Sequence, residues 1–321
     1  MNAELLYLSG EDIKNLRISS RQARDAIVTA FRDYAAGKAV GLPKLSIDTP
    51  SSWFSSMISV SQPYGIAATK WVAVASDKES MGRTRVNGLI CVSDYKTGSP
   101  FGVLDGNYIT LIRTAATSAA AASYLAPEVP ESIGLVGCGL QALSHLDAFV
   151  DLLPSLRKVY LFSRSSRSAE AVAAAVAEKH REPIITADPD MLVRKSDIVV
   201  SMIPAAPNLE SFLDARLLQS SSFVSAVDGG RSWRSDTLTS FDRLITDSLE
   251  QSVSPVDAAG RPLKHIVFNE DLRHLTSGSS EPRLRKRTLF AFRGFAIADL
   301  ALANLALRQA RALGIGTTLP R

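Results

Sequence analysis

The spacing of apolar residues changes character near residue 127. Before that point, the segment that follows Ser19 and Ser20 has helical spacing and ends near Gly37. The two serines are suited to capping a helix. The apolar face of this predicted helix is formed by Ala23, Ile27, Ala30, Phe31 and Tyr34. Residues 42–95 are rich in strand-forming residues, and "YKTGSP" (95–100) predicts a hairpin turn. The alanine-rich segment 111–126 predicts a long helix that ends at Pro127.

After residue 130, short apolar runs alternate with helical segments. The predicted strands are 132–137, 158–162, 183–187, 197–203, 222–227 and 242–247. A closing helix at 293–314 has an apolar face formed by Ile297, Leu300, Leu302 and Leu305. Alternating strands and helices are typical of a doubly wound parallel sheet.

The fold class is therefore predicted to be α/β. A Rossmann-like, doubly wound parallel sheet domain is expected at 128–299, and an α+β domain at 1–127. We expect the C-terminal helix, at about 300–321, to pack back on the first domain. The segment "PEVPE" (127–131) marks the predicted junction.

The composition is that of a soluble globular protein. Of 321 residues, 46% are hydrophobic and 21% are charged, and the net charge is +4. This mild positive charge permits an anionic ligand but does not indicate nucleic acid. The basic run "RLRKR" (283–287) has no interleaved aromatic residues, so a solvated loop is predicted there and no nucleic-acid partner is expected.

Neither a membrane segment nor a metal site is expected. The sequence has no signal-peptide pattern at its start and no apolar run of about 18 residues. The two cysteines, Cys91 and Cys138, do not make a disulfide framework or a thiolate metal site, and the four histidines lack ligand spacing. We therefore expect a cytoplasmic protein.

A glycine motif follows the first strand of the second domain. Gly137, Gly139 and Ala142 fit the pattern G-x-G-x-x-A, with Leu140 and Gln141 between them. In such a turn the glycines let the backbone approach a pyrophosphate, whose charge faces the N–H groups of the following helix. Because the motif ends a strand and opens a helix, it predicts dinucleotide binding; the alternative is a purely structural turn.

The end of the next strand bears on the choice of dinucleotide. It carries Ser163, Arg164 and Ser165, and no acidic residue that would bind the ribose hydroxyls of NAD. A hydroxyl and an arginine suit a 2′-phosphate. NADP(H) is therefore favoured over NAD(H), with a merely solvated Arg164 as the alternative.

Several motifs together resemble the ornithine cyclodeaminase/mu-crystallin family. They are "TKW" (69–71), "LIRTAA" (111–116), "GCGLQALSHL" (137–146), "DIVVSMIP" (197–204), "GFAIADLALA" (294–303) and "GIGTTL" (314–319). The resemblance covers nearly the whole chain. It implies a Rossmann domain that binds a nicotinamide cofactor, and a substrate-binding domain through which a homodimer forms.

The resemblance also implies roles for individual residues. Lys70 matches the active-site lysine, Arg113 matches the ligand of the substrate α-carboxylate, and Lys44 matches a second cationic ligand. These types suit the chemistry, because a guanidinium binds a carboxylate bidentately and a lysine can relay a proton. The alternatives are exposed positions for Arg113 and Lys44. Further cofactor contacts are implied at Met202, Ile203, Pro204 and Gly294.

The sequence departs from the cyclodeaminase pattern after the strand at 222–227. The catalytic Asp of those enzymes falls on Gly230, or on Arg231 if the loop is shifted, and Arg234 replaces a lysine. Asp228 lies two residues early and is the candidate catalytic substitute. This departure favours simple hydride transfer over cyclodeamination.

Two further arginines are unusual for the family. Arg85 stands where many members have a small residue, and a similar arginine occurs in the branch that contains N-(2-amino-2-carboxyethyl)-glutamate dehydrogenase. Arg293 stands where many members have an apolar residue. Both are predicted to bind the substrate, which would then carry an extra carboxylate; the alternative for each is a surface arginine.

The resemblance thus implies an NAD(P)H-dependent dehydrogenase or imine reductase that acts on a small α-imino or N-substituted amino acid. The alternatives are a cyclodeaminase that releases ammonia and a non-catalytic protein that binds NADPH and a small ligand. The sequence does not specify the substrate side chain, the direction of the reaction or the pathway.

Overall fold

A computed structural model describes residues 4–49, 52–75, 86–205, 209–256, 260–263, 266–280 and 286–321. The chain forms two compact units. The first unit is Met1–Arg113 with Gly294–Arg321, and the second unit is Thr114–Arg293. The first dividing point lies inside the predicted helix 111–126, whereas the sequence suggests boundaries after residues 127 and 299. The functional roles assigned to the two domains stay predictions.

In chain order, the strands of the described residues are β1 (Glu4–Leu8), β2 (Ala39–Gly41), β3 (Leu45–Asp48), β4 (Ser52–Ser61), β5 (Ile66–Ala75), β6 (Val86–Asp94), β7 (Pro100–Asp105), β8 (Ser132–Val136), β9 (Lys158–Phe162), β10 (Glu182–Ile185), β11 (Ile198–Ser201), β12 (Phe223–Ala226), β13 (Arg243–Thr246), β14 (Glu270–Asp271), β15 (Thr288–Ala291) and β16 (Thr317–Pro320). The α-helices are α1 (Gly10–Asn15), α2 (Ser20–Ala35), α3 (Gly106–Leu125), α4 (Leu140–Leu152), α5 (Ser166–Glu178), α6 (Pro189–Lys195), α7 (Leu272–Ser277) and α8 (Ala296–Leu313).

The first unit contains a mixed sheet. Its strand order is β16-β1-β7-β6-β5-β4-β2, with β3 also paired to β4, and only the β1–β7 pair is parallel among these described strands. The predicted hairpin joins β6 to β7, where Asp94 Oδ1 accepts hydrogen bonds from the backbone N–H groups of Lys96 and Thr97 at 3.1 and 2.8 Å. β5 lies inside the sheet, because it is paired with β4 on one side and with β6 on the other.

Helices α2 and α8 pack against each other in the first unit. A capping box between Ser19 and Gln22 starts α2, and its buried residues match the predicted face. The start of α8 is tied to β4, because Ser59 Oγ donates to the carbonyl of Ala296 at 3.2 Å. The first turn of α8 is therefore fixed relative to the central strands.

The second unit contains a parallel sheet in the order β10-β9-β8-β11-β12-β15-β13-β14. Strands β9 and β10 lie on one side of β8, and β11 and all later strands of this sheet lie on the other side. The strand order thus reverses between β8 and β11, which is where dinucleotides bind in doubly wound sheets. This confirms the predicted Rossmann-like architecture.

The element predictions were most accurate for periodic segments. The strand at 158–162 is β9, and the closing helix is α8, which ends at Leu313. The expected C-terminal helix at about 300–321 is wrong at its end, because Thr317–Pro320 form β16 and pair with β1. β15 was not predicted, although it lies between β12 and β13 in the sheet. Among the described residues, no helix is long and apolar enough to span a membrane.

Candidate active site

Lys70 lies in the middle of β5, on a buried face of the strand. Side chains alternate along a strand, so Ala68 and Val72 share this face and are buried, whereas Trp71 points to the other face and is 52% exposed. Lys70 is only 2% exposed. A buried ammonium group is costly unless it is paired.

The partner of Lys70 is Asp299, in the first turn of α8. Asp299 Oδ1 accepts hydrogen bonds from Lys70 Nζ at 2.6 Å and from Arg113 Nε at 3.1 Å. Lys70 Nζ also donates to Thr110 Oγ1 at 3.3 Å. Thr110 and Arg113 are three residues apart on α3, so both side chains leave the same face. One carboxylate oxygen therefore holds two buried cations, and we call this group the Lys70–Asp299–Arg113 cluster.

Burial and charge set the protonation of the cluster. Burial is the main cause that lowers the pKa of Lys70 to about 7. The negative charge of Asp299 raises this pKa, and the positive charge of Arg113 lowers it further. Burial by itself would raise the pKa of Asp299. The positive charges of Arg113 and Lys70 outweigh burial and hold this pKa below its ordinary value. At neutral pH Asp299 is therefore ionised, and a pKa near 7 leaves both protonation states of Lys70 accessible, which is a condition for general acid–base chemistry.

Lys44 and Gly294 lie beside the cluster in the first unit. Lys44 Nζ is 5.9 Å from the centroid of the Trp53 ring, and its positive charge acts on both Lys70 and Asp299. Gly294 has a φ of +79°, and a Cβ there would come within 2.7 Å of a terminal nitrogen of Arg113. Gly294 thus makes room for the guanidinium, and its predicted contact with a cofactor stays a prediction.

The glycine turn of the second unit joins β8 to α4. Gly137 has a φ of +101°, and a Cβ there would come within 3.2 Å of Ile203 Cδ1 and 3.3 Å of the Met202 carbonyl oxygen. Gly139 caps α4 without a side-chain hydrogen bond, and nothing lies within 4 Å of where its Cβ would be. Ala142 is fully buried. The backbone at Gly139, just before the first N–H groups of α4, is therefore not covered by any described side chain within 4 Å.

The neighbouring residues also fit a dinucleotide. Leu140 is exposed at the helix start, and Gln141 Oε1 is buried with no hydrogen-bond partner among the residues that the structure describes. Pro204 follows Ile203 after β11 and is exposed. An N-terminal helix turn with open glycines, at the switch point of the sheet, suits a pyrophosphate.

The end of β9 carries the residues expected to select the cofactor. Ser163 Oγ accepts a hydrogen bond from the Ser165 N–H at 3.2 Å, and Ser165 Oγ caps α5 by accepting from the Ser168 N–H at 3.2 Å. Arg164 is exposed. Both hydroxyl groups act as acceptors, so their protons stay available to an anion. The NADP(H) preference stays a prediction.

Asp228 is 3% exposed and fully engaged. It accepts hydrogen bonds from Ser201 Oγ at 3.0 Å, from the Gly230 N–H at 3.1 Å and from Ser232 Oγ. Trp233 Nε1 donates to Ser201 Oγ at 3.2 Å. Burial raises the pKa of Asp228. This geometry favours a role in bracing the loop after β12 over the predicted catalytic role.

Arg293 follows β15 in the second unit. Its N–H donates to Asp247 Oδ1 at 3.3 Å, and its Nη2 donates to the Ser254 carbonyl at 3.3 Å. Arg85 lies outside the described residues, so its predicted role in substrate binding has no structural counterpart here.

Asp299 is the member of the Lys70–Asp299–Arg113 cluster that the sequence motifs did not predict. The signal was present in "GFAIADLALA" (294–303), where one acidic residue interrupts an otherwise apolar stretch. On α8 its neighbours Ile297, Ala298 and Leu300 are all buried. An ionised side chain in such a run needs a cation, and the lysine and arginine already predicted were the available partners.

A comparison with known proteins establishes the family. The profile of the ornithine cyclodeaminase/mu-crystallin family matches residues 4–312. The chain belongs to this family. The resemblance inferred from the motifs is confirmed.

Individual relatives are distant but align over nearly the full length. The Delta(1)-pyrroline-2-carboxylate reductase of Bacillus cereus is 26% identical over 329 residues, covering 98% of this chain and 99% of the relative. The structure of the Thermococcus litoralis Delta(1)-pyrroline-2-carboxylate reductase in complex with NADH and L-proline has a TM-score of 0.85 at 24% identity, covering 98% and 99% of the two chains. An archaeal alanine dehydrogenase dimer with bound NAD has a TM-score of 0.86 at 24% identity, with the same coverage.

Proposed function

We propose that this protein is an NAD(P)H-dependent imine reductase or dehydrogenase for small α-imino or N-substituted amino acids. The observation that carries the proposal is the Lys70–Asp299–Arg113 cluster, in which a buried lysine with a pKa of about 7 lies beside a carboxylate-binding group. The Bacillus cereus relative, named as a reductase of a cyclic imino acid, supports the same class of reaction.

Arg113 and Lys44 bind the α-carboxylate of the substrate in this proposal. Asp299 holds the Nε of Arg113, which fixes the plane of the guanidinium before a substrate arrives. A planar guanidinium and a second cation suit a carboxylate, and a prealigned ligand lowers the entropic cost of reaching the reactive geometry. Arg113 and Lys44 therefore position the imine carbon.

Lys70 moves the proton. Reduction of C=N requires a hydride at carbon and a proton at nitrogen, and a bound nicotinamide supplies or accepts the hydride. The Lys70 ammonium donates the proton from Nζ to the imine nitrogen and is neutral afterwards. Its pKa of about 7 makes both protonation states accessible at neutral pH.

The cofactor is proposed to be NADP(H) in preference to NAD(H). The glycine turn at Gly137 and Gly139 would hold the pyrophosphate, and Ser163 with Arg164 would hold a 2′-phosphate. The solved relatives contain NADH or NAD, so this preference rests on the residues of this chain alone.

Cyclodeamination is disfavoured because the carboxylate of Asp228 is occupied by Ser201, Ser232 and Gly230. The chain is proposed to act in the cytoplasm as a homodimer on a small amino- or imino-acid substrate, without nucleic-acid or membrane partners.

The test is an assay of purified protein with Δ1-pyrroline-2-carboxylate and NADPH or NADH, following loss of the reduced nicotinamide. We expect turnover, tighter binding of NADPH, and loss of turnover with unchanged cofactor affinity in Lys70→Gln. Lys14→Gln, at an exposed lysine that pairs with Glu11, is the matched control. No turnover across a panel of cyclic and linear imino acids would exclude the reductase function, and tighter binding of NADH would exclude the cofactor preference.

A further inference from the structure

Lys70 Nζ has room for one more hydrogen-bond partner. A lysine ammonium group donates up to three hydrogen bonds. Among the residues that the structure describes, Nζ donates to Asp299 Oδ1 at 2.6 Å and to Thr110 Oγ1 at 3.3 Å. The third N–H is thus the one that can reach a substrate. The two acceptors, one on α8 and one on α3, fix the direction in which it points.

This direction matters because Lys70 changes its protonation in the proposed reaction. When Nζ gives a proton to the imine nitrogen, the N–H bond breaks and its electron pair stays on Nζ. Nζ then carries two N–H bonds and one lone pair. For Lys70 to take up a proton at the same place in the reverse reaction, the lone pair must keep the direction of the proton that left.

Asp299 alone does not keep that direction. Although burial acts to raise the pKa of Asp299, the charges of Arg113 and Lys70 hold it below its ordinary value, so the carboxylate only accepts and binds one N–H of Lys70. The second N–H and the lone pair would then share two directions. Arg113 has no acceptor atom in its side chain, whereas the Thr110 hydroxyl oxygen can hold the second N–H. The lone pair is left in the third direction.

The start of α3 is attached to the sheet, which fixes Thr110 relative to Lys70. Asn107 Oδ1 accepts a hydrogen bond from the backbone N–H of Gly88 on β6 at 2.9 Å. β6 pairs with β5, and its Ile90 lies opposite Lys70. Thr110 follows Asn107 by three residues on the same helix and is half-buried. Its hydroxyl group therefore has a defined place beside Nζ.

We propose that Thr110 is a positioning residue for the proton transfer of Lys70, because its hydroxyl oxygen holds one N–H of Nζ and keeps the reacting direction of Nζ open toward the substrate. This inference rests on the proposed reductase function. It assigns to Thr110 an effect on the rate of proton transfer. It assigns no effect on the binding of the substrate carboxylate, which is the proposed task of Arg113 and Lys44.

Two substitutions separate the hydroxyl group of Thr110 from its shape. Thr110→Val keeps the branched shape and removes the hydroxyl group, whereas Thr110→Ser keeps the hydroxyl group and removes the methyl group. In a single turnover of Δ1-pyrroline-2-carboxylate, we expect Thr110→Val to oxidise the reduced nicotinamide about 10-fold more slowly, a typical effect of losing one hydrogen bond. Thr110→Ser should retain most of the wild-type rate. The KM of the imino acid and the Kd of the cofactor should be unchanged in both variants.

A solvent isotope effect tests the proton transfer itself. In D2O the group that Nζ transfers is a deuteron, so a slower transfer should enlarge the ratio of the single-turnover rates in H2O and D2O. We expect this enlargement in Thr110→Val and in Thr110→Ala, which also lacks the hydroxyl group, and the wild-type ratio in Thr110→Ser. Thr29→Val is the control, at an exposed threonine of α2 whose hydroxyl group donates to the Asp25 carbonyl at 2.8 Å, and it should match the wild-type protein.

The outcomes separate this inference from the proposed function. An unchanged cofactor Kd shows that each variant is folded. A wild-type rate and isotope ratio in Thr110→Val would overturn the role of the hydroxyl group. The same holds if Thr110→Ser is slower than Thr110→Val, because the shape of the side chain would then be what matters. A wild-type protein that reduces no imine contradicts the proposed function itself.

Discussion

A single carboxylate oxygen organises the three charged residues of the cluster. Asp299 Oδ1 lies 2.6 Å from Lys70 Nζ and 3.1 Å from Arg113 Nε, and all three side chains are buried. Removing one member of a buried ionic group leaves the others uncompensated, which is far costlier than losing a surface pair. The position of Lys70 and the orientation of Arg113 therefore both depend on Asp299.

The first prediction concerns the pH dependence of Asp299→Asn. In the direction of imine reduction Lys70 must be protonated, so kcat/KM of the wild-type protein should fall as the pH rises through about 7. The charge of Asp299 raises the pKa of Lys70, and removing it should move this fall to lower pH by about one unit or more. Profiles of kcat/KM against pH measure the shift.

A control for this prediction is Asp25→Asn, at an exposed carboxylate on α2. Its profile should coincide with that of the wild-type protein. If kcat/KM of Asp299→Asn fell at the same pH as that of the wild-type protein, Lys70 would not be the titrating group. Its proposed role as proton donor would then be wrong.

At the residue scale, the sequence predicted the cations but not their counter-ion. Lys70 and Arg113 were found through family motifs, and the structure places them within 3.1 Å of one carboxylate. Asp299 is 229 and 186 residues away from them along the chain, and no local pattern links such distant positions. Asp228 was chosen instead because it lies near a family position, whereas its hydrogen bonds are with its own loop.

At the scale of elements, a buried polar chain joins α3, α4 and β12 within the second unit. His145 Nδ1 lies 2.8 Å from the carbonyl of Gln141 and therefore carries the proton, so Nε2 accepts from Ser118 Oγ at 2.9 Å. Ser225 Oγ donates to Ser118 Oγ at 2.9 Å. His145 is fully buried, and burial lowers its pKa to about 4. The histidine thus stays neutral and fixes the first turns of α4 behind the glycine motif.

The second prediction is an acid-dependent loss of stability that depends on His145. An unfolded histidine titrates near 6.5, whereas the folded one titrates near 4, so unfolding takes up a proton between these values. The stability contributed by the neutral form is complete above 6.5 and is lost as the pH falls toward 4. From pH 7 to pH 5 this loss should be about 2 kcal/mol. Urea unfolding at both pH values measures it.

The comparison variant is His145→Gln, which cannot titrate. Its free energy of unfolding should decrease less between pH 7 and pH 5 than that of the wild-type protein, whatever its absolute stability. His180→Asn, at an exposed histidine, should retain the wild-type pH dependence. Equal decreases in wild type and His145→Gln would show that His145 does not control the acid sensitivity.

The elements that were predicted well have local causes. α2 follows from its capping box and its apolar spacing, and β9 follows from a run of four apolar residues after Lys158. β15 was missed because its four residues directly follow a basic run and carry no periodicity of their own. Its place in the sheet results from pairing with β12 and β13, which are distant in sequence.

At the scale of the whole molecule, the mixed sheet of the first unit leaves one apolar face exposed. Trp71 is paired with Leu89 and Ser56, and Ser56 with Leu45, so these side chains share one face of the sheet. Trp71, Leu89 and Leu45 are 52%, 49% and 67% exposed, and Ile58 on the same face is 39% exposed. The opposite face of β5 carries Lys70.

A contiguous apolar face of this kind is typical of a protein–protein interface, whereas single exposed apolar residues are normal on any surface. We propose that a second copy of this chain covers the face, in agreement with the homodimer expected from the family resemblance.

The third prediction follows from this surface. Trp71→Glu places a carboxylate at the centre of the apolar face, where a dimer would have to bury it without a partner, so association should weaken by several orders of magnitude. Light scattering coupled to gel filtration should give twice the single-chain mass of 34.5 kDa for the wild-type protein and the single-chain mass for Trp71→Glu. Val129→Glu, at a residue that is 71% exposed in the second unit, should remain dimeric. A wild-type protein of single-chain mass at every concentration tested would show that the face is covered by something other than a second copy.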